Sequence, residues 1–151
     1  TYRYFNGEPL YPFGYGLSYT RFEYSDLKLT DAGDIAEKGI SGSVRVKNVG
    51  SIAGDEVVQA YIGWKDGAAS GPKRQLIAFE RVSLSPGETK TVRWSATPDA
   101  FAASDDEGVR RIRTGDCVLT VAGHQPGVCP SLPKASNRVE KRIKLPGRKK
   151  A

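Results

Sequence analysis

The sequence predicts an all-β protein built as a two-sheet antiparallel sandwich. About eight short segments alternate apolar and polar side chains, and turn signals rich in glycine, proline, asparagine or aspartate separate them roughly every ten residues. No segment carries a helical apolar period long enough to cross over between parallel strands. The 151 residues are sufficient for one domain with a core of its own.

The first two strands are expected at residues 22–29 and 40–49. The first alternates imperfectly, which is typical of an edge strand. The second alternates cleanly, with apolar residues such as Val46 on one face and basic or hydroxyl side chains on the other, so it is expected to be half exposed to water. Asn48 and Gly50 then form a turn, in which we expect left-handed backbone angles.

The middle of the chain predicts three more strands. Residues 55–64 are largely apolar on both faces, which indicates a central strand. Strands at 74–84 and 89–96 are joined by Ser85–Glu88, where proline followed by glycine predicts a type II turn. Alternation in the later strand places Trp94 in the core.

The last third begins with a predicted helical turn at residues 99–103, capped by Asp99, with Phe101 closing one end of the sandwich. Residues 105–108 predict a hairpin turn, and 123–137 predict a long loop. The remaining strands are expected at residues 109–113, 117–122 and 139–145.

Residues 1–20, before the first strand, are unusually aromatic. Gly14 and Gly16 permit backbone angles that other residues resist, and Pro12 fixes one dihedral, so a compact irregular turn is expected. Several aromatic rings left in water would form an adhesive patch, which predicts that the segment docks against a second packed body. The candidate docking residues are Tyr2, Tyr4, Phe5, Tyr11, Phe13, Tyr15 and Tyr19.

Five motifs occur in a fixed order: residues 9–20, 46–50, 53–61, 79–88 and 115–123. The first reads Pro-Leu-Tyr-Pro-Phe-Gly-Tyr-Gly-Leu-Ser-Tyr-Thr, and the fourth reads Phe-Glu-Arg-Val-Ser-Leu-Ser-Pro-Gly-Glu. Together they resemble the C-terminal fibronectin type III-like domain of family 3 glycoside hydrolases, the β-glucosidases and β-xylosidases. The resemblance covers most of the chain, and its first five residues look more like those of the xylosidases.

This resemblance implies an immunoglobulin/fibronectin III-like sandwich at residues 21–146. Residues 1–20 would be a linker and docking segment from the preceding catalytic domain, and 147–151 a frayed basic tail. The catalytic Asp and Glu of such enzymes lie on two upstream domains and are absent from this chain. The resemblance thus implies a non-catalytic accessory module of a secreted or periplasmic glycosidase, with the upstream catalytic domains as its partner.

The residues themselves indicate no catalytic site, metal site or cofactor. The single histidine, His124, follows a predicted strand without a nucleophile or carboxylate pattern around it, so a solvated or turn-stabilising role is expected. Asp55 and Glu56 are adjacent on a strand and point to opposite faces, so they cannot converge on one sugar. The acidic residues 105–107 lie in a turn, where carboxylates bond to local backbone.

The alternative function is a carbohydrate-binding module that attaches to the polysaccharide itself. The candidate residue for stacking on a sugar is Trp64, at a strand end beside the small, polar loop 67–72. This alternative depends on Trp64 being exposed to solvent.

The net charge of +6 is concentrated at one end, because eight basic residues and only one acidic residue, Glu140, follow residue 133. No aromatic residues are interleaved with them, so nucleic acid is not expected as a partner. No apolar run approaches membrane-spanning length, so no membrane is expected either. Cys117 is expected to be a buried thiol, although a disulfide with Cys129 stays open if the loop folds back over the strand.

Overall fold

The computed structural model describes residues 7, 9–31, 35–64, 72–104, 107–127 and 137–145. These residues form a four-residue helix, α1 (Ile35–Lys38), a 3₁₀ turn at Pro98–Phe101, and nine strands. The strands are β1 (Phe22–Asp31), β2 (Ile40–Asn48), β3 (Gly54–Trp64), β4 (Arg74–Leu84), β5 (Thr89–Ala96), β6 (Ala102–Ser104), β7 (Arg110–Ile112), β8 (Gly115–Ala122) and β9 (Arg138–Leu145).

The strands pair into two main sheets. One has the order β1-β2-β5 and the other β4-β3-β8-β9, and β6 with β7 makes a separate two-stranded ribbon. Every strand pair is antiparallel. The sheets face each other, with β4 against β5 and β1 against β9. The predicted all-β sandwich is confirmed, with the first strand at a sheet edge and the third in a central position.

The core lies between the two sheets and follows the predicted alternation. Val44 and Val46 of β2 are fully buried, whereas Arg45 between them is exposed. Trp94 is buried as predicted, and its ring lies against Gly42 on the neighbouring strand. A Cβ at Gly42 would stand 2.6 Å from this ring, so glycine is the residue that leaves room for the indole.

The imperfect alternation of β1 has a local cause. Asp26 has φ of 53°, and the register with β2 shifts at this point. Before it, Phe22 and Tyr24 are buried in the core, and after it Leu27 and Leu29 take over the core-facing positions. The bulge therefore changes the parity of the strand, which is why a simple period of two fits it poorly.

The turn after β2 differs from its prediction. Neither Asn48 nor Gly50 has a positive φ. Asn48 is instead fully buried and donates from its amide to the carbonyls of Ile52 (2.8 Å) and Leu84 (3.0 Å). The prediction of left-handed angles is therefore wrong. A Cβ at Gly50 would collide with the Thr20 side chain, so close packing explains the glycine at this position.

Two other turns give opposite outcomes. Gly87 has φ of 75°, and the turn at Ser85–Glu88 closes with a 3.0 Å backbone hydrogen bond, as predicted. Asp99 does not cap the 3₁₀ turn. The capping position belongs to Thr97, the residue before Pro98, and its side chain makes no capping hydrogen bond. Phe101 is fully buried, as expected for a residue that closes the core. Helix α1 was not predicted.

Cys117 is a buried free thiol, and its sulfur lies 3.4 Å from the carbonyl oxygen of Ile143. Burial raises the pKa of this thiol to about 11, and the nearby Asp116 charge adds to the effect. Three parts of the predictions lie outside the described residues: Cys129, residues 105–106 of the predicted hairpin turn, and the tail at 147–151.

Candidate docking surface

The aromatic segment, residues 9–20, folds as the compact turn that its glycines and proline predict. The Tyr15 N–H donates to the Pro12 carbonyl at 3.1 Å, and Gly14 and Gly16 have φ of 87° and 77°. These left-handed angles belong to the turn at residues 13–16. Three candidate docking residues lie outside the described part of the chain, namely Tyr2, Tyr4 and Phe5.

The middle of the aromatic segment is fixed to the sandwich through its backbone. The N–H of Gln125, in the loop after β8, donates to the Phe13 carbonyl at 2.8 Å. Gly14 lies directly on the Gln59 amide, and a Cβ at this glycine would collide with that amide and stand 3.0 Å from the Gly123 carbonyl oxygen. A side chain therefore has no room here, and the backbone itself makes the contact.

Beneath this contact is a buried polar pair on the outer face of β3. The Tyr61 hydroxyl donates to the Gln59 side-chain oxygen at 2.6 Å, and the Gln59 amide donates to the Gly123 carbonyl at 3.1 Å. Because both side chains are buried, unpaired polar atoms here would be costly, and these bonds satisfy them. The pair forms a rigid base for the aromatic segment.

His124 belongs to the same loop and has a structural role. It is only 4% exposed. One ring nitrogen, Nδ1, lies 2.9 Å from the Gln125 carbonyl oxygen, and Nε2 lies 3.3 Å from the Asn137 side-chain oxygen. The expected turn-stabilising role is confirmed, because both ring nitrogens contact residues of this loop. The expected solvation is wrong, because the side chain is buried.

The C-terminal end of the aromatic segment is tied to the turn after β2. The Thr20 hydroxyl donates to the Asn48 side-chain oxygen at 2.7 Å. The next residue, Arg21, accepts a 2.8 Å hydrogen bond from the Val49 N–H. The segment is thus held both in its middle and at its end, and its backbone has little freedom to move relative to the sandwich.

The side chains of the aromatic segment point the other way, into solvent. Tyr11 is 70% exposed and Tyr19 is 100% exposed. The rings of Tyr11 and Tyr15 stack with centroids 5.7 Å apart and planes 11° apart. The exposed large apolar residues here are Leu10, Tyr11, Phe13, Tyr15, Leu17 and Tyr19. All four described candidate docking residues are therefore exposed. Together with Leu10 and Leu17 we call them the aromatic surface.

Trp64 is not exposed, contrary to the condition for sugar stacking. It is 6% exposed, because the alternation of β3 places it with Ala60 and Ile62 on the core face. The Arg113 guanidinium lies 4.2 Å from the ring centroid. A neighbouring cleft of about 240 Å³ is lined by Gly63, Trp64, Lys73, Arg74, Val118, Thr120, Pro126 and Gly127. Trp64 offers no ring face on which a sugar could stack.

Asp55 and Glu56 point to opposite faces, as predicted. Asp55 is on the outer face, where a hydrogen bond from Ser83 holds the pKa of its carboxyl below its ordinary value. Glu56 is only 9% exposed, and burial raises the pKa of its carboxyl to about 7. A Cβ at Gly123 would collide with this carboxyl, so Glu56 lies directly beneath the loop that holds Phe13.

The described residues contain no group of His, Cys, Asp or Glu side chains that could hold a metal ion. Within the same part of the chain, no helix has the length and apolarity needed to cross a membrane. The basic side chains of β9 alternate with partly buried Val139 and Ile143, and they are exposed at a sheet edge.

Residues 56–125 match the family model for the fibronectin type III-like domain. The chain is 48% identical over 105 residues to thermostable β-glucosidase B of Acetivibrio thermocellus, covering 67% of this chain and 14% of the relative. It is 45% identical over 120 residues to a putative β-xylosidase of Formosa agariphila. This match covers 80% of this chain and 16% of the relative. It is 46% identical over 104 residues to a periplasmic β-glucosidase of Salmonella typhimurium. This match covers 67% of this chain and 14% of the relative.

A solved β-glucosidase structure from Erythrobacter marinus superposes with a TM-score of 0.72 at 32% identity, covering 93% of this chain and 17% of that one. The chain thus spans only about a sixth of the length of the proteins it matches. The fold, the domain match and the relatives agree: the chain belongs to the fibronectin type III-like domains of family 3 glycoside hydrolases.

Proposed function

We propose that the chain is a non-catalytic, C-terminal accessory module of a retaining, exo-acting β-glycosidase. The enzyme is a β-xylosidase or β-glucosidase that hydrolyses terminal β-linked sugars of plant polysaccharide fragments. The module docks against the upstream catalytic domains through the aromatic surface and stabilises their arrangement. The observation that carries this proposal is an exposed apolar surface on a backbone fixed to the sandwich.

The aromatic surface has the properties of an interface without its partner. Residues 10–20 contain no charged side chain, although 26% of the chain is charged. Burying one large apolar side chain contributes on the order of 2 kcal/mol, so several of them can supply a stable contact. The fixed backbone means that little additional conformational entropy is lost when the partner binds.

The chemistry supports a non-catalytic role. A glycosidase needs two carboxyl groups that face one another across a sugar. Asp55 and Glu56 lie on opposite faces of β3, and Glu56 is enclosed beneath a loop where no sugar can reach it. Relatives of about five times the length of this chain have ample chain elsewhere for the catalytic groups.

In this proposal residues 1–20 are the linker and docking segment, 21–146 the sandwich and 147–151 a basic tail. The strands from β1 to β9 span residues 22–145, within the proposed sandwich. One relative is a periplasmic β-glucosidase, which supports a secreted or periplasmic location for the enzyme. An accessory module can matter for rate, because displacing a catalytic group by about 1 Å can cost about 100-fold.

The test is a triple substitution, Tyr11→Ser, Phe13→Ser and Tyr19→Ser, in the full-length glycosidase that carries this chain. We expect thermal inactivation to become at least about tenfold faster and kcat/KM to fall, because the docking contact loses its apolar side chains. The matched control is Val109→Ser, which removes an exposed apolar side chain just before β7.

Unchanged inactivation and unchanged kcat/KM in the triple variant would contradict the docking role. The isolated chain is also mixed with insoluble xylan and cellulose. No retention is expected, because Trp64 is buried. Retention that the triple substitution abolishes would show that the aromatic surface binds polysaccharide, and the docking role would then be wrong.

A further inference from the structure

We propose that the outer face of β4, centred on Phe79, is a second part of the docking surface. Its occupant is an apolar, uncharged surface of the catalytic domains of the same protein. This inference rests on the proposed function and extends it from the aromatic segment to the sandwich itself.

Phe79 is exposed in a position where an aromatic residue is unexpected. It is 66% exposed on β4, the edge strand of the four-stranded sheet. The register with β3 shifts between Ala60 and Tyr61, which leaves Ile77 unpaired as a bulge residue directed into the core. Because of this bulge, Leu76 and Phe79 share the outer face of β4. A notch of about 320 Å³ lies at the edge of β4 that is next to β5, and it is lined by Leu76, Ile77, Ala78, Phe79 and Ser95.

The register also places Phe79 beside the aromatic segment. Phe79 is the direct partner of Gln59 on β3, and adjacent side chains of paired strands lie on the same face. Gln59 is the residue on which Gly14 packs. Phe79 therefore lies on the same face of the sheet as Gln59 and directly beside the residue that supports the aromatic segment.

The charged residues around Phe79 are arranged as they are in a protein interface. On β4 the residues 76–79 are uncharged, and Glu80 and Arg81 follow immediately. Arg81 pairs with Asp55 on the neighbouring strand, which makes a polar rim beside the apolar centre. The tyrosine hydroxyls on the other side call for hydrogen-bond acceptors, so the partner is expected to be apolar with scattered polar atoms.

An uncovered apolar edge strand is prone to pair with other chains, and natural proteins protect such edges. The bulge protects β4 in part, but it leaves Phe79 in solvent. A partner within the same polypeptide would protect it permanently. The relatives have that additional chain, because this domain accounts for only 14–16% of their length.

The experiment compares Phe79→Ser with Val109→Ser in two contexts. In the isolated chain both variants are expected to unfold at the wild-type temperature within about 2 °C, because both side chains are exposed. In the full-length glycosidase, Phe79→Ser is expected to accelerate thermal inactivation by about tenfold and Val109→Ser to leave it unchanged.

Three results would overturn the inference. If Phe79→Ser does not accelerate inactivation while the triple aromatic variant does, the β4 extension is wrong and the aromatic surface alone docks. If neither variant has an effect, the proposed function fails as well. If light scattering shows that the wild-type isolated chain is a dimer and the Phe79→Ser chain a monomer, the β4 face binds a second copy and not the catalytic domains.

Discussion

The chain uses aromatic residues in two contrasting ways. Within the sandwich, Trp64, Trp94 and Phe101 are buried against their own strands. In the aromatic segment, Tyr11 and Tyr19 are exposed on a backbone that is hydrogen-bonded in place. Aromatic rings are therefore buried within the chain in one region and exposed to solvent in the other.

This difference allows the contribution of aromatic side chains to the stability of the chain to be measured separately from their contribution to docking. Buried rings contribute to the free energy of unfolding of the chain by itself, whereas exposed rings contribute only when another surface covers them. Substitutions in the two regions should therefore behave oppositely in the isolated chain and in the full-length glycosidase. The backbone of the aromatic segment is hydrogen-bonded to the sandwich, and in the proposed function its side chains contact the partner.

The largest effect in the isolated chain is expected for Trp94→Ala. The substitution leaves a cavity beside Gly42 in the middle of the smaller sheet, and the free energy of unfolding should fall by about 3–5 kcal/mol. Urea denaturation followed by circular dichroism measures it. A loss below about 1 kcal/mol would contradict the assignment of Trp94 to the core.

A smaller effect with a characteristic pH dependence is expected at Glu56, beneath the loop that holds Phe13. Folding raises the pKa of this carboxyl from 4.5 to about 7, so the native state binds its proton more tightly than the unfolded chain does. Its favourable contribution is complete below pH 4.5, is lost as the pH rises from 4.5 to about 7, and stays lost above that.

Glu56→Gln replaces the carboxyl with a neutral amide of the same shape. At pH 8 the variant should be more stable than the wild type by up to about 3 kcal/mol, and the difference should shrink towards pH 4.5. Denaturant titrations at several pH values measure both. Equal stability of the two proteins at pH 8 would show that the ionised carboxyl carries no penalty.

The attachment of the aromatic segment is tested by a matched pair of glycines. Gly14 and Gly16 both have positive φ, so alanine at either position costs about 1–2 kcal/mol in backbone strain. Only Gly14 also packs against Gln59 and Gly123, whereas nothing lies within 4 Å of a Cβ at Gly16. Gly14→Ala should therefore destabilise the isolated chain by about 1–3 kcal/mol more than Gly16→Ala does. Equal losses would mean that the segment is not seated on β3.

The smallest effect in the isolated chain is expected for Tyr19→Ser. The side chain is fully exposed, so the free energy of unfolding should change by less than about 0.5 kcal/mol. Chemical denaturation of the isolated chain provides the measurement. A loss above 1 kcal/mol would show that Tyr19 is packed within the chain, and the contrast between the two regions would weaken.

The strands were largely predictable because each carries its own alternation. The bounds of β4 and β5 match their predictions. The alternation of β3 puts Trp64 on the same face as Ala60 and Ile62, and the structure shows that this face is the core face. Residue type and position at a strand end favour sugar stacking on Trp64. The period of two was the stronger indicator, and it decided the burial of this residue.

Tertiary contacts that leave no local pattern could not be predicted. The sequence predicts a turn residue at Asn48, yet its side-chain amide donates hydrogen bonds to two carbonyls from separate parts of the chain. Glu56 is buried against Gly123 of the loop after β8, and His124 of the same loop is buried as well. The left-handed Asp26 changes the parity of β1 with no proline or glycine to signal it.

The central claim is that the aromatic surface is covered by the catalytic domains. Hydroxyl-radical footprinting of the isolated chain and of the full-length glycosidase tests it, with labelling of Tyr11, Phe13 and Tyr15 as the measurement. These rings should label readily in the isolated chain and at least about fivefold more slowly in the full-length protein, while exposed Val109 labels equally in both. Equal labelling of the three rings in both proteins would contradict the docking role directly.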